Sequence, residues 1–135
     1  MPENILEKII KNKEKKIDLL KKSLSIESLK KKIEEYKSFI NFKEKIKSNE
    51  LENKISIIAE IKKASPSAGL IIENYDPVNI ADVYNKNKAT CLSVLTEEDF
   101  FLGNLLHISK IKQKINLPIL CKDFFIDKFQ VYLAR

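Results

Sequence analysis

The sequence predicts an α/β fold, a series of βα units with parallel strands behind an N-terminal helical extension. Three observations carry this. Apolar residues recur at helical spacing near the N-terminus, short β-branched runs alternate with helical patterns from residue 55 onward, and each of those runs ends in polar or charged residues. Strands separated by helices rather than tight turns run parallel, because a crossover must return the chain to the same end of the sheet.

The helical elements come first. Ile5, Leu6, Ile9, Ile10, Ile17, Leu20 and Leu24, with Lys and Glu between them, form an amphipathic helix over residues 4–22. Ser25-Ile-Glu-Ser28 resembles the weaker form of a capping box and opens a second helix from Ile26 to Tyr36. Phe39, Phe42 and Ile46 mark a short third one. Residues 48–54, Ser-Asn-Glu-Leu-Glu-Asn-Lys, read as a polar linker. The extension therefore covers 1–54 and the βα units 55–135.

The first strand, 55–61, breaks into a small-residue loop with Ser65, Pro66, Ser67 and Gly69. Asp76-Pro77 then starts a helix, with Asp as N-cap and Pro at the first position. Ile80, Ala81, Val83 and Tyr84 give its apolar face, and Asn87 can end it in a left-handed turn. Thr90–Thr96 is the second strand. A loop, Glu97–Asn104, carries Phe100, Phe101 and Gly103, and Leu105, Leu106, Ile108 and Ile111 mark the next helix. Pro118–Cys121 is the third strand, followed by Lys122-Asp123, and Phe129–Arg135 begins another helix.

The strand ends set the architecture. Glu60 and Lys62, Thr96 and Glu97, and Lys122 and Asp123 gather on the C-terminal side of the strands. That is the catalytic side of a (β/α)8 barrel. A doubly wound open sheet has similar units, but no Gly-x-Gly-x-x-Gly follows the first strand, which weakens a dinucleotide-binding reading.

Composition narrows the classes. With 135 residues, 44% hydrophobic and 33% charged, the chain suits one globular domain or part of a larger one. No apolar run reaches the roughly 18 residues of a membrane span. The N-terminal stretch lacks the apolar core of a signal peptide, so a cytoplasmic location is expected. Cys91 and Cys121 lie in apolar runs without Cys-x-x-Cys spacing, and read as reduced buried thiols rather than metal ligands.

The net charge of +6 is concentrated in residues 1–50, where 14 Lys face 9 acidic residues. Interleaved Lys and Glu, with Arg135 the single arginine, describe a solvated helix face better than a nucleic-acid surface. No nucleic-acid or membrane partner is expected. A non-catalytic module that binds through basic helices is the alternative this charge leaves open.

The chemistry centres on the first and third strand ends. Glu60 and Lys62 are two apart, so a strand points both to one side. Lys62 and Lys122 would face one mouth and suit an anionic substrate. Read blandly, each is a solvated strand-end charge or part of an ion pair that orients the loop. Phe100 and Phe101 could wall a pocket for an aromatic ring, although one of the pair is expected only to pack. Ser65 and Ser67 could donate to a phosphate or simply shape a turn. His107, between Leu106 and Ile108, has little support as a metal or catalytic residue.

Three blocks go further. Ile57–Gly69 (Ile-Ile-Ala-Glu-Ile-Lys-Lys-Ala-Ser-Pro-Ser-Ala-Gly), Leu92–Gly103 (Leu-Ser-Val-Leu-Thr-Glu-Glu-Asp-Phe-Phe-Leu-Gly) and Pro118–Arg135, which opens Pro-Ile-Leu-Cys-Lys-Asp-Phe-Phe, resemble indole-3-glycerol phosphate synthases. The resemblance implies the N-terminal portion of a (β/α)8 TIM barrel, about three strands, with a helical extension. It implies ring closure of 1-(2-carboxyphenylamino)-1-deoxyribulose 5-phosphate with loss of CO2 and water, in tryptophan biosynthesis, without cofactor or metal.

By the same resemblance, Lys122 is the general acid, Lys62 contacts the substrate's anionic groups, and Glu60 orients the lysines and substrate hydroxyls. Ser65 lies beside the phosphate and Phe101 on the anthranilate ring. A whole barrel needs about 250 residues. The chain is accordingly expected to be inactive alone and to require a C-terminal part of the barrel, which would hold a further catalytic glutamate, an asparagine and the phosphate-binding turns. Another phosphosugar enzyme on the same barrel, such as a phosphoribosyl isomerase, is the alternative activity.

Overall fold

Cys91–Leu95 is buried at all five positions, which is what a strand covered on both faces and flanked on both edges requires. In the computed structural model, which describes residues 4–135, this strand (β4) is the middle of a three-stranded parallel sheet. It pairs with β1 (Ile58–Ile61) on one edge and β5 (Ile119–Lys122) on the other. Each new strand of this sheet lies beside the one before it in the chain. A doubly wound sheet reverses direction after its first strands, so this stepwise order is that of the opening part of a (β/α)8 barrel.

The chain divides into two compact units, Phe39–Asp123 and Met1–Ser38 with Phe124–Arg135. Residues 1–3, the start of the stretch read against a signal peptide, lie outside the described residues. Within the larger unit, α4 (Pro77–Lys86) follows β1 and α5 (Leu105–Lys112) follows β4. Ile61, Leu92 and Val94 on one sheet face pack with Ala81, Ile111, Ile115 and Leu117. Burying each large aliphatic side chain here contributes about 1.5–3 kcal/mol. The register Glu60↔Ser93↔Leu120, with Leu95↔Lys122 two residues on, places Ile58, Glu60, Lys122 and Leu120 together on the opposite face.

The smaller unit holds α1 (Ile5–Ser23), α2 (Ile26–Glu35) and α6 (Lys128–Ala134). Its core is Ile17, Leu29 and Phe129. Asp127 caps α6 with Gln130 as the reciprocal member of the capping box, and Lys21 pairs with Asp127 at 2.5 Å.

Several local expectations are corrected. The stretch read as a linker from residue 48 is helical to its midpoint, since α3 runs Phe42–Leu51 with Asn41 as its cap. Asn49 gives the reason: its amide donates to Ser56 and to Thr90 Oγ1, tying the helix end to the start of β4. Phe39 stands outside that helix. Ser25 accepts the Ser28 N–H, but Ser28 donates its hydroxyl to the Ser25 carbonyl, so the box is not reciprocal. After α4 the left-handed residue is Lys88 (φ 64°), not Asn87 (φ −92°). The loop after β1 contains a small antiparallel pair, β2 (Ala64–Ser65) with β3 (Gly69–Leu70), which a run of turn-forming residues conceals in the sequence. Asp76 caps α4 as expected, accepting from Val78 and Asn79.

Candidate active site

Glu60 is the next-to-last residue of β1, and its backbone carbonyl accepts the Tyr84 hydroxyl of α4 at 3.0 Å. Its side chain is therefore presented from a fixed strand. Lys122 closes β5, where its carbonyl accepts the Thr96 N–H at 3.0 Å. The Thr96 hydroxyl also donates to Asp123 at 2.8 Å, so the ends of β4 and β5 are tied by main chain and side chain together.

The Glu60 carboxylate joins both lysines. Oε1 lies 2.8 Å from Lys62 Nζ and Oε2 lies 2.5 Å from Lys122 Nζ. Burial pushes the Glu60 carboxyl up, but hydrogen bonds from Lys122 and Lys62 and their charges outweigh it, leaving it below its ordinary value. Lys122 keeps 51% of its side chain exposed against 30% for Glu60. It can thus be reached by a ligand while the carboxylate holds it. One carboxylate sharing two amines leaves a net positive cluster, suited to a carboxylate or phosphate guest.

The other expected residues lie on the loops at the same strand ends. Ser65 is in β2, where its oxygen accepts the Ala68 N–H at 3.1 Å and faces Ser67 at 3.4 Å. Phe101 is half-buried in the loop after β4. The clefts of about 510 and 540 Å³ lie elsewhere, the first by Asp76, Asp82 and Lys114 and the second by Lys63, Tyr75 and His107. Among the described residues, no group of three or more His, Cys, Asp or Glu could hold a metal.

The same strand ends place three blocks of sequence side by side: Ala-Glu-Ile-Lys, Thr-Glu-Glu-Asp-Phe-Phe and Cys-Lys-Asp-Phe. A family model described as indole-3-glycerol phosphate synthase matches residues 6–135. The chain belongs to the indole-3-glycerol phosphate synthase family. It is 42% identical over 134 residues to the indole-3-glycerol phosphate synthase of Trichodesmium erythraeum (strain IMS101), covering 99% of this chain and 44% of that protein. Against that of Prochlorococcus marinus (strain AS9601) it is 46% identical over 134 residues, with 98% and 44% covered. The chain thus spans less than half the length of these curated relatives.

Sequence reasoning missed the role of Glu97. It was visible as one more strand-end acid, but its side chain is buried and turned back onto its own loop (below). His107 stays outside the site. Burial, then Lys110 and Lys63, hold its imidazole below the ordinary value. Its Nδ1 and the Tyr75 hydroxyl have no hydrogen-bond partner among the described residues.

Proposed function

We propose that the complete protein is an indole-3-glycerol phosphate synthase, a cytoplasmic carbon–carbon lyase of tryptophan biosynthesis. Its substrate on this reading is 1-(2-carboxyphenylamino)-1-deoxyribulose 5-phosphate. The observation that carries it is the Glu60 carboxylate held between Lys62 and Lys122 at the ends of the two strands that flank β4, in a chain of this family.

The arrangement suits the chemistry. The ring carbon that bears the carboxylate forms a bond to the ketone carbon, and the ketone oxygen takes a proton from the Lys122 ammonium as it gains an electron pair. The carbon–carboxylate bond breaks, CO2 leaves, and its electron pair restores the aromatic ring. The new hydroxyl then leaves as water with a second proton, while the adjacent carbon gives one up. Lys62 holds the anionic groups of the substrate, and Glu60 keeps both amines oriented and charged. Ser65 donates to the phosphate, and Phe101 packs on the anthranilate ring. No cofactor or metal enters.

The 135 residues alone are not expected to turn over. Ile58 and Leu120, on the same sheet face as the cluster, are 48% and 47% exposed, a face that further strands would cover. The partner on this reading is the C-terminal part of the barrel, which relatives of more than twice this length have room to include. No nucleic-acid or membrane partner is proposed, and no helix among the described residues is long and apolar enough to cross a membrane. The test is turnover by the full-length protein. Release of CO2 and indole-3-glycerol phosphate supports the proposal, whereas isomerisation of a phosphoribosyl substrate in its place overturns it.

A further inference from the structure

The loop after β4 is held by one buried carboxylate. Glu97 is 1% exposed. Its Oε1 accepts the Asp99 N–H at 3.2 Å, and its Oε2 accepts those of Phe100 and Phe101 at 2.7 and 3.0 Å. Its own carbonyl accepts the Gly103 N–H at 2.8 Å. Both ends of the segment are thus anchored on a single residue. Between them Leu102 takes a left-handed conformation, φ 53°, which a branched side chain adopts only where its surroundings hold it there.

Three converging N–H groups need an acceptor with two oxygens. A carboxylate accepts at both, and no cation among the described residues pairs with it, so backbone dipoles meet its charge. Had the acid served only to end the strand, a solvent-facing position would have cost far less than this burial.

We propose that Glu97 is a positioning residue for ring recognition: it fixes the loop in the one conformation that presents Phe101 to an aromatic carboxylate. This rests on the reading that Phe101 packs on the substrate's ring. Glu97 itself touches no substrate and acts through Phe101.

Glu97→Gln is the sharp variant. It preserves shape but replaces one acceptor oxygen with an NH2 group, which must face an N–H donor. In the full-length protein, 2-aminobenzoate serves as the probe, followed by NMR at a temperature where every variant is folded. Glu97→Gln is expected to weaken its binding about fivefold and to speed amide exchange at Phe100 and Phe101 while β4 stays protected. In a Phe101→Leu background the same change is expected to add less than about twofold, because coupled residues are not additive.

An equal loss in both backgrounds, or no loss in either, overturns the positioning role while leaving the substrate reading intact. Failure of the unaltered protein to bind 2-aminobenzoate overturns the ring-binding reading and the positioning role with it. If Gln at 97 prevents folding, Glu97→Asp gives the same test, since it keeps both oxygens but withdraws them by one methylene.

Discussion

Lys122 Nζ lies 2.5 Å from Glu60 Oε2 although 62 residues separate them in the chain. The two are on the outer strands of the sheet, with β4 between them, and the contact spans that strand along the face lined by Ser93 and Leu95. The carboxylate reaches across because both side chains leave their strands on the same side and near the same end.

Removing the amine should remove the chemistry and little else. Lys122→Ala in the full-length protein is expected to lower kcat by about 10²–10⁴, with an unchanged circular dichroism spectrum, because the side chain is half exposed. Near-normal turnover by this variant would exclude Lys122 as the general acid.

The Glu60 bridge sets a pH window. Its carboxyl is held below its ordinary value of 4.5, so the bridge contributes stability above that value and loses it as pH falls through the lower folded value. Carboxyl carbon shifts should show Glu60 still ionised when solvated glutamates have begun to protonate. Paired Lys62→Gln and Lys122→Gln substitutions should raise its midpoint, leaving burial to dominate.

His107 acts in the same direction by a different cause. Burial, with Lys110 and Lys63 adding, holds its pKa under 6.5. The unfolded chain therefore takes up its proton first, and stability falls as pH drops below 6.5. Thermal midpoints at pH 7.5 and 5.5 should differ less in His107→Leu than in the unaltered protein.

Gly103 admits no side chain. An added Cβ would stand 2.2 Å from the Leu95 carbonyl oxygen and 2.7 Å from its carbon, and both are main-chain atoms that cannot turn aside. Gly103→Ala is expected to destabilise by about 1–3 kcal/mol, read as a lower urea midpoint. Gly69→Ala meets nothing within 4 Å but carries φ 63°, so its smaller cost is one of backbone strain alone.

The sequence was legible where a local pattern was also the global one. The mostly apolar Cys91–Leu95 strand, the Asp76-Pro77 helix start and the periodic α1 follow from burial, capping and period, none of which needs a distant partner. Glu60 and Lys62 could be placed on one side from strand spacing. That Lys122 would face the same mouth also followed from the strand ends; what spacing could not supply was that a single carboxylate would join both amines. Residues 48–51 misled because their polarity suits a linker, whereas the Asn49 contact to Thr90, 41 residues on, keeps them helical. Glu97 is the clearest failure. An acid followed by another acid reads as solvent-exposed, and nothing in its neighbours signals that three amide groups would turn toward it.

The order of the strands has a kinetic consequence. Ile58 pairs with Cys91 and Leu92 with Ile119, so each parallel contact closes a crossover of about 30 residues. Loop-closure entropy grows only with the logarithm of length, and the two steps face nearly equal barriers. Each needs no residue that has yet to be synthesised, so the sheet can zip in the direction of translation, with every docked strand serving as the template for its successor.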